Sequence, residues 1–478
     1  MGKHDQGLVT LKQSVRKQKK VYFRNRWIFV FLFTIIIFGA ACVGRSGEEK
    51  SSAVESADAA DAGEPDLAGE PVNLTIAMFE ENGELRRQVE AFRQSHPAWK
   101  IEIQTYTRSD QPEEDGIARL QREVMAGKGP DIIDFGGGFS ISDIAGCYTE
   151  DLMTYLAREG MEDYFENILS VFRYKDGLYA VPTGFALHSF AGTTENLGGL
   201  EHWNIAEMME CYERQRADRI LVPGETKKQV LGWILSGNIN YYIDWETGTC
   251  AFDGQEFQDM LAFCNLFPDT LKMAEDYSVK QIFADNKALL MPVLIEDVYQ
   301  ICEEEYIFEE KSITYIGFPV EGESGTVVTP GRSVLAISKS SKQKERAWEF
   351  IAWCLGEEGQ SQLKWGLPVR KSVFEAQLQN ALEAEYEIDS EGNRKPVVKN
   401  QILFEGEEPV EIYAISEAQA EKLRELIASA EMHNALDDRL YRILLEEADY
   451  YFNGDKTLEE TARVIQGRAQ MYVSERVK

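Results

Sequence analysis

The sequence predicts an α/β protein of two lobes, each a parallel-rich sheet flanked by helices. Three observations carry that expectation. Between Val72 and Phe135, strand-like and helix-like spacings of apolar residues take turns in β-α-β-α-β order. Such alternation produces a parallel sheet with helices on its faces. Removing a 41-residue leader from the 478 leaves 437 residues, more than one ordinary core accommodates. The C-terminal stretch carries a single apolar helical stripe, Leu458, Ala462, Ile465, Ala469 and Tyr472.

Element by element, Val72, Leu74, Ile76 and Met78 share one face of a strand ending at Phe79. Leu85, Val89 and Phe92 mark a helix that Ser95-His96-Pro97 closes. Ile101–Tyr106 reads as a second strand. Ile117, Leu120 and Val124 mark a second helix, stopped by Gly127 and Gly129-Pro130. Asp131–Phe135 is a third strand, running into Gly136-Gly137-Gly138. The middle, about 186–330, mixes short helices, turns and aromatic stretches, among them Trp233, Tyr241, Tyr242 and Trp245. No repeat of 20–50 residues is visible.

The N-terminus stands apart. Residues 1–26 hold eight Lys or Arg against one acid, Asp5, and Trp27–Ala41 is an uncharged run of 15 residues. As helix that run spans about 22 Å, short of a bilayer core of roughly 30 Å. A basic region, a short apolar run and small terminal residues describe a signal peptide over 1–41. Gly39-Ala40-Ala41 leads directly into Cys42, which resembles the lipobox of bacterial lipoproteins, although Gly39 stands where that pattern usually has Leu. The resemblance implies lipidation of Cys42. The plainer alternative is a signal anchor with an incidental cysteine. Residues 42–70, rich in Ser, Ala, Gly, Glu and Asp, cannot bury enough apolar surface to order themselves and read as a flexible tether.

Composition excludes some partners. Loss of the basic leader takes the formal charge from −31 to −38. A chain so acidic repels nucleic acid and anionic lipid, so neither is an expected partner beyond the lipid anchor. Cys147, Cys211, Cys250, Cys264, Cys302 and Cys354 contain no C-x-x-C, which argues against zinc-ribbon and thioredoxin-like chemistry. Six cysteines outside the cytosol permit disulfides of unspecified pairing or buried free thiols. The five histidines have no metal-ligand spacing, and G-x-S-x-G, H-E-x-x-H and the P-loop are missing. With 81 acids, a pair of carboxylates at glycosidase distance carries no weight. No catalytic residue, metal or cofactor is therefore expected.

Several segments, in order, resemble the extracellular solute-binding proteins of family 1, the sugar-binding type related to maltose-binding protein. They are Ala126–Phe135 (AGKGPDIIDF), Lys175–Gly184 (KDGLYAVPTG), Ile316–Gly325 (IGFPVEGESG), Leu335–Leu355 (LAISKSSKQKERAWEFIAWCL), Gly366–Val373 (GLPVRKSV) and Tyr450–Glu475 (YYFNGDKTLEETARVIQGRAQMYVSE). The resemblance implies a two-lobed, periplasmic-binding-protein-like fold of type II. Its hinge would have three crossings, near 181–187, 330–338 and 362–370. Lobe one would comprise 71–183 and 334–366, and lobe two 184–333 and 367–478. Thr193-Thr194-Glu195-Asn196 departs from the family's Tyr-Asn-Lys phrase. The family implies a monomer on the outer face of the membrane that hands a small polar ligand, a carbohydrate above all, to ABC permease subunits.

Ligands of open α/β sheets sit outside the carboxyl ends of strands. That rule selects Phe79, Glu80, Glu81 and Asn82 after the first strand, Tyr106, Thr107, Arg108 and Ser109 after the second, and Phe135, Gly136, Gly137, Gly138 and Phe139 after the third, and the resemblance implies that the first and third of these loops line the cleft. The acids can accept hydrogen bonds from hydroxyls or be a solvated turn. Phe135 can stack on a ring or be core. The glycines can admit a ligand to the backbone or simply turn. The resemblance adds Glu296 and Asp297, which fall near a family stacking aromatic, and Arg332 and Trp365 at the crossings. Trp233 and Trp245 are further stacking candidates, though a tryptophan is more often core. Two other functions stay open: a surface-anchored carbohydrate-active enzyme, and a ligand-sensing subunit without a transporter.

Overall fold

The computed structural model describes residues 71–476, apart from 107–112, 137–144, 146, 271–277, 310, 390, 405–407 and 434–437. The leader, Cys42, the tether, Thr107, Arg108, Ser109, Gly137, Gly138 and Phe139 lie outside the described residues.

The first part follows the predicted alternation: β1 (Val72–Met78), α1 (Gly83–Ser95), β2 (Trp99–Thr105), α2 (Glu113–Met125) and β3 (Ile132–Asp134). Next come β4 (Val181–Pro182), the long β5 (Gly184–Thr193), α3 (Lys227–Asn238), α4 (Gln255–Cys264) and β6 (Met291–Ile295). They are followed by α5 (Ile301–Phe308), β7 (Ile313–Tyr315), β8 (Val327–Pro330), β9 (Val334–Ile337) and α6 (Lys344–Leu355). The chain closes with β10 (Leu367–Pro368), α7 (Lys371–Leu382), α8 (Glu417–Ser429), β11 (Met432–His433), α9 (Asp438–Phe452) and α10 (Leu458–Arg476).

The first sheet has the order β2-β1-β3-β9-β4. β1 pairs in parallel with β2, from Val72 opposite Trp99 to Met78 opposite Thr105, and with β3 on its other edge. β9 runs antiparallel to β3 and to β4. In the second sheet the path is β6-β5-β8-β11, with β7 and β10 also on β5. Here the expectation of two parallel-rich sheets needs correction. β6, β7, β8 and β10 all run antiparallel to β5, and only β11 on β8 is parallel. The reason lies in the path of the chain. β5 leaves the first sheet, and β8, which carries the chain back, must run against it.

One hydrophobic core joins the first sheet and one face of the second, including Ile76, Ile133, Phe185, Leu187, Val293, Phe350 and Phe374. Another lies on the opposite face of the second sheet, where α3, α4, α9 and α10 pack together around Phe190, Leu235, Phe257, Leu444 and Ile465. The predicted C-terminal stripe belongs there: Ala462, Ile465, Ala469 and Tyr472 are buried and Leu458 packs against them. The six described cysteines are all free, with Cys211, Cys264 and Cys354 buried.

The chain passes between the sheets three times: at Thr183, at 331–333, and across 361–366. The crossings touch through backbone. Gly331 donates its N–H to the Gly184 carbonyl at 2.7 Å, and a Cβ on Gly331 would lie 2.8 Å from that oxygen. Gly366 turns the third crossing at φ +87°, a conformation that favours glycine. The fully buried Gln360 links crossings one and three. Its amide donates to the Thr183 carbonyl at 2.6 Å and accepts from the Val369 N–H at 2.8 Å.

Candidate functional site

The carboxyl ends of β1 and β3 meet the second crossing at one buried carboxylate. Asn82 caps α1, its Oδ1 accepting from the Glu84 and Leu85 N–H groups at 3.0 and 3.2 Å. This is the role for which a short polar side chain is favoured before a helix. Its Nδ2 donates to Asp134 Oδ2 at 2.9 Å, to the Arg332 carbonyl at 2.9 Å and to Ser333 Oγ at 2.7 Å. Asp134 also accepts from the Gly136 N–H at 3.1 Å and the Val334 N–H at 3.0 Å. Burial pushes this carboxyl up to about 6, against the opposing pull of those hydrogen bonds. The hub hydrogen-bonds the backbone of both Gly136, at φ +60°, and Arg332.

Around this hub the predicted residues separate. Phe79, Phe135 and Tyr106 are buried in one another. The Phe79 and Phe135 rings stack at 6.1 Å, and Phe79 meets Tyr106 at 5.9 Å. The Phe79 and Phe135 planes lie within 10° of parallel, and the Tyr106 ring is tilted 49° from Phe79. Glu80 and Glu81 are exposed. Glu81 is held by Arg86 through two bonds to the guanidinium, and that hydrogen bonding lowers its pKa. Arg332 is exposed, with its guanidinium carbon 5.7 Å from the centre of the half-buried Trp365 ring. Glu84, buried beside them, faces Arg332, pairs with Arg87 at 2.9 Å and accepts the Lys364 N–H at 3.4 Å. Its pKa is raised chiefly by burial.

On the second sheet, Ile295 lies opposite Leu187, so Glu296 and Asp297 emerge at the hinge end of β5. Asp297 turns the chain there by accepting the Tyr299 N–H at 2.8 Å. Trp233 stands further along β5, edge-on to Phe190 at 5.3 Å. Trp245 sits in the hairpin beyond α3, donating to Asn240 at 3.1 Å. The structure thus brings Glu80, Glu81, Gly136, Arg332, Trp365, Glu296 and Asp297 to the ends of the two sheets where the crossings meet. Trp233 and Trp245 lie on the helical part of the second half.

Asn82 was among the residues expected after the first strand, but its hub with Asp134 and Ser333 was not foreseen. Asn82 had a legible signal, a cap residue ahead of an apolar helical pattern. Asp134 had none, because an acid at the end of a strand looks the same whether it is exposed or buried under four donors. Among the described residues no group of three or more His, Cys, Asp or Glu is placed to hold a metal ion, and no helix is long and apolar enough to cross a membrane.

No curated protein matches the chain by sequence. The fold is shared with an extracellular solute-binding protein family 1 member from Alicyclobacillus acidocaldarius, at 13% identity and a TM-score of 0.53 over 85% of this chain and all of that one. The sugar-binding protein MalE from Xanthomonas citri matches at 15% identity and 0.53, over 85% and 98%. An ABC transporter solute-binding protein from Thermotoga lettingae, solved with α-D-tagatose bound, matches at 15% and 0.50, over 85% and 100%. These likenesses establish the type II periplasmic-binding-protein-like fold. The sequence model described as bacterial extracellular solute-binding protein matches residues 79–361, more than half of the chain, and the chain belongs to that family.

Proposed function

We propose that this protein captures a small polar solute, a sugar or oligosaccharide, between two lobes and delivers it to an ABC importer from the outer face of a membrane. The family is one of extracellular binding proteins rather than enzymes. Membership in it, together with a three-crossing hinge at which both sheets present polar side chains, is the observation that carries the reading. Lobe one comprises 71–183 and 334–366, and lobe two 184–333 and 367–478. The ligand contacts Glu80, Glu81, Gly136 and Arg332 from one side and Glu296 and Asp297 from the other, with Trp365 stacking on a ring face. Because it touches both lobes, it favours the closed arrangement by differential affinity. The test is a thermal-shift screen of mono- and oligosaccharides on the chain beginning at Glu70. A sugar that raises the unfolding temperature with mass-action dependence on its concentration supports the reading. Release of a shortened sugar overturns it in favour of an enzyme.

The proposed tether is a diacylglyceryl group on Cys42, since one acyl chain binds a membrane only marginally. Cells expressing the full chain and fed a labelled fatty acid are expected to label it, and Cys42→Ala is expected to remove the label. Equal labelling of both would place the anchor elsewhere.

A further inference from the structure

Four donors converge on the Asp134 carboxylate, and they come from three separate stretches of chain. Asn82 Nδ2 opens α1 directly after the exposed acids Glu80 and Glu81. The Gly136 N–H belongs to the loop after β3. Ser333 Oγ, at 3.3 Å, and the Val334 N–H stand where the second crossing enters β9. The Asn82, Asp134 and Ser333 side chains are all buried, so these groups bond to one another rather than to water.

The set holds one acceptor more than its amide can serve. Asn82 Nδ2 carries two hydrogens and faces three acceptors: Asp134 Oδ2, the Arg332 carbonyl and Ser333 Oγ. An ionised carboxylate only accepts, whereas a protonated one also donates. The two carboxyl oxygens differ in what a proton would meet. Oδ1 faces the backbone N–H groups of Gly136 and Val334, which can only donate, so a proton there would oppose both. Oδ2 faces the Asn82 amide and the Ser333 hydroxyl. A hydroxyl can turn to accept, so a proton on Oδ2 bonds to Ser333 Oγ. Asn82 Nδ2 then gives up Oδ2 and keeps one acceptor for each of its hydrogens. A proton taken up from water therefore breaks the link between the loop after β1 and the end of β3, and leaves the Gly136 and Val334 bonds in place.

Other titratable groups stand close by. The Cys354 thiol of α6 faces Asp134, and burial together with that carboxylate keeps it protonated. Glu84, in the first turn of α1, pairs with Arg87 and faces Arg332.

We propose that Asp134 is a positioning residue for the cleft: its ionised carboxylate clamps the Glu80–Asn82 loop, Gly136 and the second crossing in the arrangement that binds ligand, and its protonation frees Asn82 and weakens binding. The proposal rests on the solute-binding reading above. Burial raises this carboxyl to about 6, so the change falls within the range of ordinary buffers. A ligand that prefers the ionised form gains affinity as pH rises through that value. The contribution of Asp134 to stability runs the other way, since a raised folded-state value favours the folded chain at low pH. A merely structural role would move affinity and stability together.

The test uses the chain beginning at Glu70, titrated calorimetrically at about pH 5 and pH 7.5 with D-tagatose and with linear gluco-oligosaccharides. The tightest binder is then titrated against Asp134→Asn and Asn82→Ser under both conditions. The wild type is expected to bind about three- to tenfold more tightly at the higher pH, tenfold corresponding to a shift of one pH unit in the carboxyl on binding. Asp134→Asn sets an amide donor where the protonated Oδ2 would stand, and is expected to show the weaker, low-pH affinity throughout. Asn82→Ser keeps a good helix cap but cannot make the link, and is expected to be equally weak and equally insensitive to pH. Equal wild-type affinity at the two pH values overturns the positioning role and leaves the solute-binding reading standing. So does a pH dependence that persists in Asp134→Asn, or full affinity in Asn82→Ser at the higher pH. If the wild type binds no sugar in the series at either pH, the sugar reading is itself overturned, and the positioning role with it.

Discussion

At the scale of single residues, the buried Asp134 carboxyl has the clearest physical consequence. Its folded-state value is raised from an ordinary 3.8 to about 6 by burial. The folded state therefore takes up the proton more readily than the unfolded chain. The resulting stabilisation is complete below the unfolded value and is lost as pH climbs through about 6. Between pH 4.5 and 7.5 that loss amounts to about 2 kcal/mol. Asp134→Asn removes the titration, so the deficit of the variant relative to wild type is expected to shrink by that amount over the same range. Urea unfolding of both proteins at the two pH values measures it. A constant difference would mean that Asp134 titrates normally. Glu81 illustrates the opposite case. It was legible as a loop acid, but its bidentate partner Arg86 sits five residues on, where only the turn into α1 brings it near.

At the scale of elements, the hinge is a contact of backbones. Thr183 donates to the Ser333 carbonyl at 3.0 Å, Gly331 to Gly184 at 2.7 Å, and a Cβ on Gly184 would lie 3.2 Å from the Leu367 carbonyl oxygen. Three crossings pass this closely because glycines stand at the points of approach. Gly331→Ala puts a methyl group 2.8 Å from the Gly184 carbonyl oxygen and 3.0 Å from its carbon. Forced contact of that kind typically costs about 1–3 kcal/mol. A lowered urea midpoint with weaker sugar binding is expected. A wild-type midpoint would show that the crossings give way freely. The crossings were legible from the ordered family-like segments. The antiparallel sense of the second sheet was not, because apolar alternation in β5, β6 and β8 is the same whichever way a neighbour runs.

At the scale of the whole molecule, the proposed binding mode couples ligand to shape. A ligand that contacts both lobes adds about 2.7 kcal/mol to stability at a hundred times its dissociation constant. It also draws the lobes together, so the radius of gyration from solution X-ray scattering is expected to fall when a bound sugar is added. An unchanged radius alongside tight binding would mean that closure precedes the ligand. The strongly negative formal charge, −31 for the whole chain, makes neighbouring copies repel one another and favours solubility.

The sequence by itself determined the β-α-β-α-β run, the C-terminal apolar stripe and the loops at the strand ends. Each of these is written in local periodicity, which follows from the geometry of one strand or one helix. Only the tertiary structure decided which of the loop residues meet. Phe79 turned inward against Phe135 and Tyr106, and Asn82, Asp134 and Ser333 closed into a hub across separations of 52 and 251 residues. His188, read in the sequence as a histidine without metal-ligand spacing, came to lie between Leu294 and Val327 in the second sheet. Burial and hydrogen-bond partnership depend on what folds over a residue, and that information is not carried by its immediate neighbours in the chain.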